Sequence, residues 1–140
     1  MNRTKAYLLQ YQRQVERIRQ LENRIAAVNA SIESAPINYD GMPHGTGLNL
    51  KTEQLAVKLA DMKERAEREV AVAWEIREDI EHVIGCVEDP ALSRLLYDRY
   101  ILRKSWAEIA EVLAYDDTYT RGRLHARALE DAEKYLPAGY

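Results

Sequence analysis

Residues 105–113 read SWAEIAEVL. At helical period Ile109 and Leu113 lie one turn apart, with Trp106 and Ala110 beside them. Ser105 followed three residues later by Glu108 has the form of a capping box, which marks the helix start. Ala114-Tyr115-Asp116-Asp117 then ends the helix almost at once, and an arginine-rich segment, Thr118 to Arg127, follows directly. A helix of about two turns is marginal in water on its own. The pattern therefore predicts a helix-turn-helix, two helices joined by a tight turn and held by a shared core. Ile109, Leu113 and Leu124 are the expected core residues. Ala110 stands where the two helices cross and a larger side chain would push them apart.

The composition agrees with an all-helical chain. Ala, Leu, Glu and Arg are plentiful, alternating strand patterns are absent, and 140 residues contain only four prolines and six glycines. That length allows one domain or two small ones. The net charge of −3 with 31% charged residues gives no global attraction to nucleic acid, so DNA binding must come from a local patch. One cysteine, Cys86, excludes an internal disulfide. With no apolar stretch near 18 residues and no signal peptide, the chain is expected in the cytoplasm, with no membrane partner.

Upstream, two long helices are expected. From about Lys5 to Glu33 the apolar stripe is Leu8, Tyr11, Val15, Ile18, Leu21, Ile25, Val28 and Ile32, in steps of three or four. Residues 34–47, SAPINYDGMPHGTG, form a helix-breaking connector. From about Lys51 to Glu88 a heptad seam runs through Leu55, Leu59, Met62, Ala66, Ala73, Ile76, Ile80, Val83 and Val87, interrupted only by Glu69. Residues 1–33 hold six basic and three acidic side chains, whereas residues 51–89 hold six basic and eleven acidic ones. Opposite signs favour the first helix lying against the second, so an antiparallel hairpin is expected over residues 1–88. Two seams rarely suffice alone, and hairpins are expected to associate into a homo-oligomer, a dimer first of all.

Asp89 can cap the next helix and Pro90 suits its first turn. Residues 89–140 are thus expected to form a separate three-helix domain, with helices from Ala91 to about Arg103, Ser105 to Leu113 and Thr118 to about Leu136. Over residues 90–140 the basic and acidic groups balance at eight each, but no acid occurs between Thr118 and Leu129. A helix that enters the major groove, braced by another, is what duplex DNA requires. The same pattern also fits a plain three-helix domain with a solvated basic face.

The stretch DPALSRLLYDRYILRKSWAEIAEVLAYDDTYTRGRLHARAL resembles region 4 of bacterial sigma factors, chiefly in its S-x-x-E-I-A-x-x-L core and Arg-Ala-Leu ending. The whole architecture is similar to phage late-gene transcriptional activators of the RinA/ArpU type, in which a helical part with a glycine-rich loop (here Gly41-Met42-Pro43) precedes a sigma-like helix-turn-helix. The resemblance implies promoter-proximal double-stranded DNA binding and activation of late phage genes in a bacterial host. Bacterial RNA polymerase is the further partner it brings in.

The rotation of the second helix stays open. Anchored on Ala128-Leu129, the spacing back to Leu113 is one residue longer than in the sigma pattern. Anchored on Arg123-Leu124-His125 it fits, but Thr120 takes an apolar position. The first anchor turns Tyr119, Arg123 and Ala126 outward; the second turns out Thr118, Arg121, Gly122 and His125. Thr118, Tyr119, Arg121 and Arg123 are the candidates for base contacts, with Lys104, Ser105 and Arg127 for phosphate.

No enzymatic activity, cofactor or metal site is expected. His44, His82 and His125 fall in three separate elements, and Asp79 with His82 has no second copy. Trp74 lies just off the seam, as cover for the hairpin or as a partner surface. Two other readings of the chain are a small terminase-type DNA-packaging subunit and a coiled-coil protein-interaction module.

Overall fold

The computed structural model describes residues 2–33 and 47–140. Its helices are α1 (Arg3–Leu8), α2 (Gln10–Glu33), α3 (Gly47–Cys86), α4 (Pro90–Tyr100), α5 (Trp106–Leu113), α6 (Asp117–Tyr119) and α7 (His125–Glu133), with a π-helical turn over Thr120–Leu124. No strand occurs among the described residues, and the protein is all-α as its sequence predicts. The connector expected over residues 34–47, with Gly41-Met42-Pro43, lies outside the described residues except for Gly47, where α3 already begins. At 40 residues α3 is about 60 Å long.

Packing divides the chain into two compact units, one of Glu16–Ala71 and one combining Met1–Val15 with Val72–Tyr140. In the first, Leu21 is buried, and Ile18, Ile25, Val28 and Ile32 of α2 and Leu55, Leu59, Met62 and Ala66 of α3 are half-buried. Leu21, Arg24, Ala27 and Val28 border a groove with Lys58, Met62 and Arg65. Arg17 and Gln20, earlier in α2, instead adjoin Arg65 and Glu69, later in α3. Rising numbers on one helix meet falling numbers on the other, so α2 and α3 run antiparallel here. Glu69, the charge that interrupts the seam, is half-buried and shares this second groove with Arg17, Arg24 and Arg65.

The second unit holds the larger core. Ile80, Val83 and Ile84 of the α3 end, with Val87 just beyond it, pack in one cluster with Leu92, Leu95, Leu96 and Tyr100 of α4. Ile109 of α5 and Leu124, Ala128, Leu129 and Ala132 complete it, together with Tyr7 and Leu8 of α1. The boundary expected at residue 88 is therefore not where packing divides the chain. Leu8 is fully buried in the same cluster as Ile109 and Leu124, because α1 lies against α7. Arg3 pairs with Glu133 at 3.1 Å, and the rings of Tyr7 and Tyr140 meet edge-on with centroids 4.9 Å apart. Asn2 starts α1 by accepting the Thr4 and Lys5 amides at 2.8 and 3.2 Å.

Capping places the short helices where the sequence puts them. Asp89 accepts the Ala91 amide at 2.9 Å with Pro90 in the first turn of α4. Ser105 Oγ accepts the Glu108 amide at 3.2 Å at the start of α5. Between them Arg103 takes a left-handed φ of 60°, and Lys104 donates its amide to the Asp98 carbonyl at 2.9 Å.

Candidate nucleic-acid interface

α5 is eight residues long and ends in a Schellman motif. The Tyr115 amide bonds back to the Ala110 carbonyl at 3.0 Å and the Ala114 amide to the Glu111 carbonyl at 3.2 Å. Ala114 sits in the left-handed region, φ 60° and ψ 37°, a position that favours glycine. Ala114, Tyr115 and Asp116 are thus a three-residue turn between α5 and the helical stretch from Asp117 to Glu133. Relieving the Ala114 Cβ crowding should stabilise the turn: Ala114→Gly is expected to raise stability by about 1 kcal/mol. Thermal melting at neutral pH checks this, and an unchanged or lowered midpoint contradicts it.

The stretch 117–133 answers the question of rotation by adopting parts of both alternatives. Thr120 is fully buried, its hydroxyl donating to the Asp116 carbonyl at 2.8 Å, so a polar residue fits an apolar position without an unpaired hydroxyl. Leu124 lies one turn on, on the same side. In an unbroken α-helix, at 100° per residue, Leu129 would then point opposite to Thr120. Instead the His125 amide reaches back to the Thr120 carbonyl, five residues earlier. That π turn absorbs one residue and turns the remainder back by about 100°. Thr120, Leu124, His125, Ala128, Leu129 and Ala132 consequently all face inward.

The outward face follows. Thr118, Arg121, Gly122, Arg123, Ala126 and Arg127 are exposed. Among the described residues Arg121, Arg123 and Arg127 have no ion-pair partner, so their guanidinium groups are not held by the protein's own acids. Two expected outward residues are corrected. His125 is 8% exposed, and Tyr119 is half-buried against the core with its ring 5.3 Å from that of Tyr115. Two candidates for phosphate have intramolecular duties. Lys104 Nζ lies 3.8 Å from the buried Asp98 carboxylate, and the Ser105 hydroxyl is the cap of α5. The brought-together set is therefore Thr118, Arg121, Arg123 and Arg127.

Behind this face lies a polar cluster that sequence reasoning did not find. The Tyr100 hydroxyl and His125 Nε2 share a buried 2.7 Å hydrogen bond. Trp106 meets the His125 ring edge-on at 4.6 Å, and the Arg99 guanidinium covers the Trp106 ring at 4.5 Å. Burial, reinforced by Lys5 and Arg99, holds the His125 pKa down to about 4. Burial likewise pushes the Tyr100 hydroxyl up to about 12, against a smaller opposing effect of Arg99. Both groups are neutral near pH 7, so the cluster braces α4, α5 and the π turn without a buried charge.

Elsewhere in this unit Trp74 is 59% exposed, with the Arg77 guanidinium 5.4 Å over its ring. Arg77 donates to Glu81 at 2.7 Å and reaches the Tyr11 and Tyr97 hydroxyls at 3.5 and 3.4 Å. Asp79 and His82 are exposed, and among the described residues no three metal-binding side chains converge. No described helix is long and apolar enough to cross a membrane.

No family model, curated protein or solved structure matches this chain.

Proposed function

We propose that this chain is a sequence-specific DNA-binding transcriptional regulator, an activator of phage late genes, that reads double-stranded DNA with the helical stretch 117–133. The observation that carries the reading is the exposed trio Arg121, Arg123 and Arg127, without acidic partners among the described residues, on a helix set by a tight turn against a short brace. A helix with exposed basic side chains, braced by a second helix, is what a major groove accepts. Local positive charge supplies the phosphate attraction that the acidic whole lacks. Arg121 and Arg123 serve base edges with Thr118, and Arg127 a phosphate. Tyr119, Lys104 and Ser105 support the turn and the cap rather than the duplex.

Self-association as a dimer suits the same reading. Apart from Leu21, the seam residues of Glu16–Ala71 stay half-exposed, as expected of a surface with a further helix to cover it. Solution mass tests this: a dimer is the expected result, whereas a large ring belongs to the DNA-packaging alternative. Bacterial RNA polymerase is the further partner of the proposed activator.

Replacing Arg121 or Arg123 by Ala should weaken a specific site by about 1–3 kcal/mol if the side chain reads guanine. Arg127→Ala should weaken all sequences alike and lower the salt slope by about one. Titration of specific and random duplexes at several salt concentrations separates the two roles. Unchanged affinity in all three variants would sink the proposed interface.

A further inference from the structure

Gly122 is a glycine that the fold does not need. It lies inside the π turn, is exposed, and does not have a positive φ. A Cβ added there would meet nothing within 4 Å, so packing does not demand its absence. Yet glycine inside a helix is unfavourable by about 1 kcal/mol relative to alanine, and the residue stands between two exposed arginines. Gly85 in the last turn of α3 is equally unconstrained, but only Gly122 of the two lies between exposed arginines, and that placement points to an external reason. The π turn sharpens this, because its smaller rotation per residue leaves Arg121, Gly122 and Arg123 all exposed in succession.

We infer that Gly122 is the point of closest approach between this protein and the duplex. Its bare backbone lets the helix settle against the floor of the major groove, while Arg121 and Arg123 reach past it on either side. The inference rests on the DNA-binding reading above and adds a steric requirement to it. A side chain at residue 122 would hold the helix off the groove and withdraw both arginines from the base edges together, and the loss grows with the size of the side chain.

Gly122→Ala and Gly122→Leu in the full chain test this, each measured by thermal melting and by titration with duplexes recovered from a random pool by the unmodified protein. Gly122→Ala should melt at or above the parent temperature and bind about tenfold more weakly; Gly122→Leu should lose about 100-fold or more. If the parent binds and both variants bind equally well, the inference is overturned while the regulatory reading survives. If Gly122→Ala melts several degrees lower, the glycine serves the turn itself and the inference is likewise overturned. If the parent binds no duplex even at low salt, the regulatory reading fails and takes the inference with it.

Discussion

Leu8→Ala should destabilise the unit that carries the arginine helix by about 2–5 kcal/mol, although residue 8 is far from that helix in the chain. Leu8 has no exposed surface and belongs to the cluster containing Ile80, Leu96, Ile109 and Leu129. Truncating it removes buried methyl groups and leaves a cavity that a close-packed core only partly fills. Amide hydrogen exchange gives the most direct reading. The amides of Ile109, Leu124 and Leu129 should lose protection together with those of Tyr7 and Leu8, because they open as one cooperative unit. Protection of α5 and α7 unchanged by the substitution would show that α1 is an appendage, and that the core closes without it.

The second large effect concerns acid. His125 ordinarily gains a proton near pH 6.5 when unfolded, but burial beside Tyr100 and Trp106 keeps it neutral in the fold until about pH 4. Between those values the unfolded chain binds the extra proton, so stability is complete above pH 6.5 and falls as the pH drops towards 4. The expected loss is about 2 kcal/mol between pH 6.5 and 5, before most carboxylates titrate. Tyr100 has the mirror-image effect: its raised value means stability is lost as pH rises from about 10 towards 12. Denaturant midpoints across pH 5–8 should therefore fall on acidification for the parent and stay nearly level for His125→Gln. Parallel profiles for the two proteins would contradict the placement of the imidazole.

Much of this fold was legible because short-range rules govern it. Asp89-Pro90 and Ser105…Glu108 cap the helices that they announce, and the residues that the seam spacing picks out are the buried or half-buried ones. What the sequence left hidden was long-range or geometric. The stripe through Leu8 and Tyr11 runs on to Ile32 with one irregular step, Ile18 to Leu21, and nothing local says that its first turns join the C-terminal helices. The seam of α3 is likewise shared between two units, since periodicity names the buried face of a helix but not the neighbour that covers it.

The helix from Asp117 shows the same limit at the candidate site. Two anchors disagreed by one residue, and each was correct for its own half, because a π turn between Thr120 and His125 takes up the difference. The mismatch was itself the signal of that turn. His125 and Tyr119 lie inward for the same reason: the helix has two rotations, and no single one describes both halves. The arginines were easier, since the absence of acids from Thr118 to Leu129 is plain in the sequence and their exposure agrees with it.

On the proposed reading, the helix bearing Arg121 and Arg123 recognises particular base sequences. Incubating the full-length protein with a random duplex pool at moderate salt, recovering the bound fraction over several rounds and sequencing it, tests that claim most directly. Enrichment of one recurring motif by the parent, lost in the Arg121→Ala, Arg123→Ala double variant that keeps its helical signal, is the predicted result. A pool that remains random after selection, or the same motif enriched by the double variant, would contradict it.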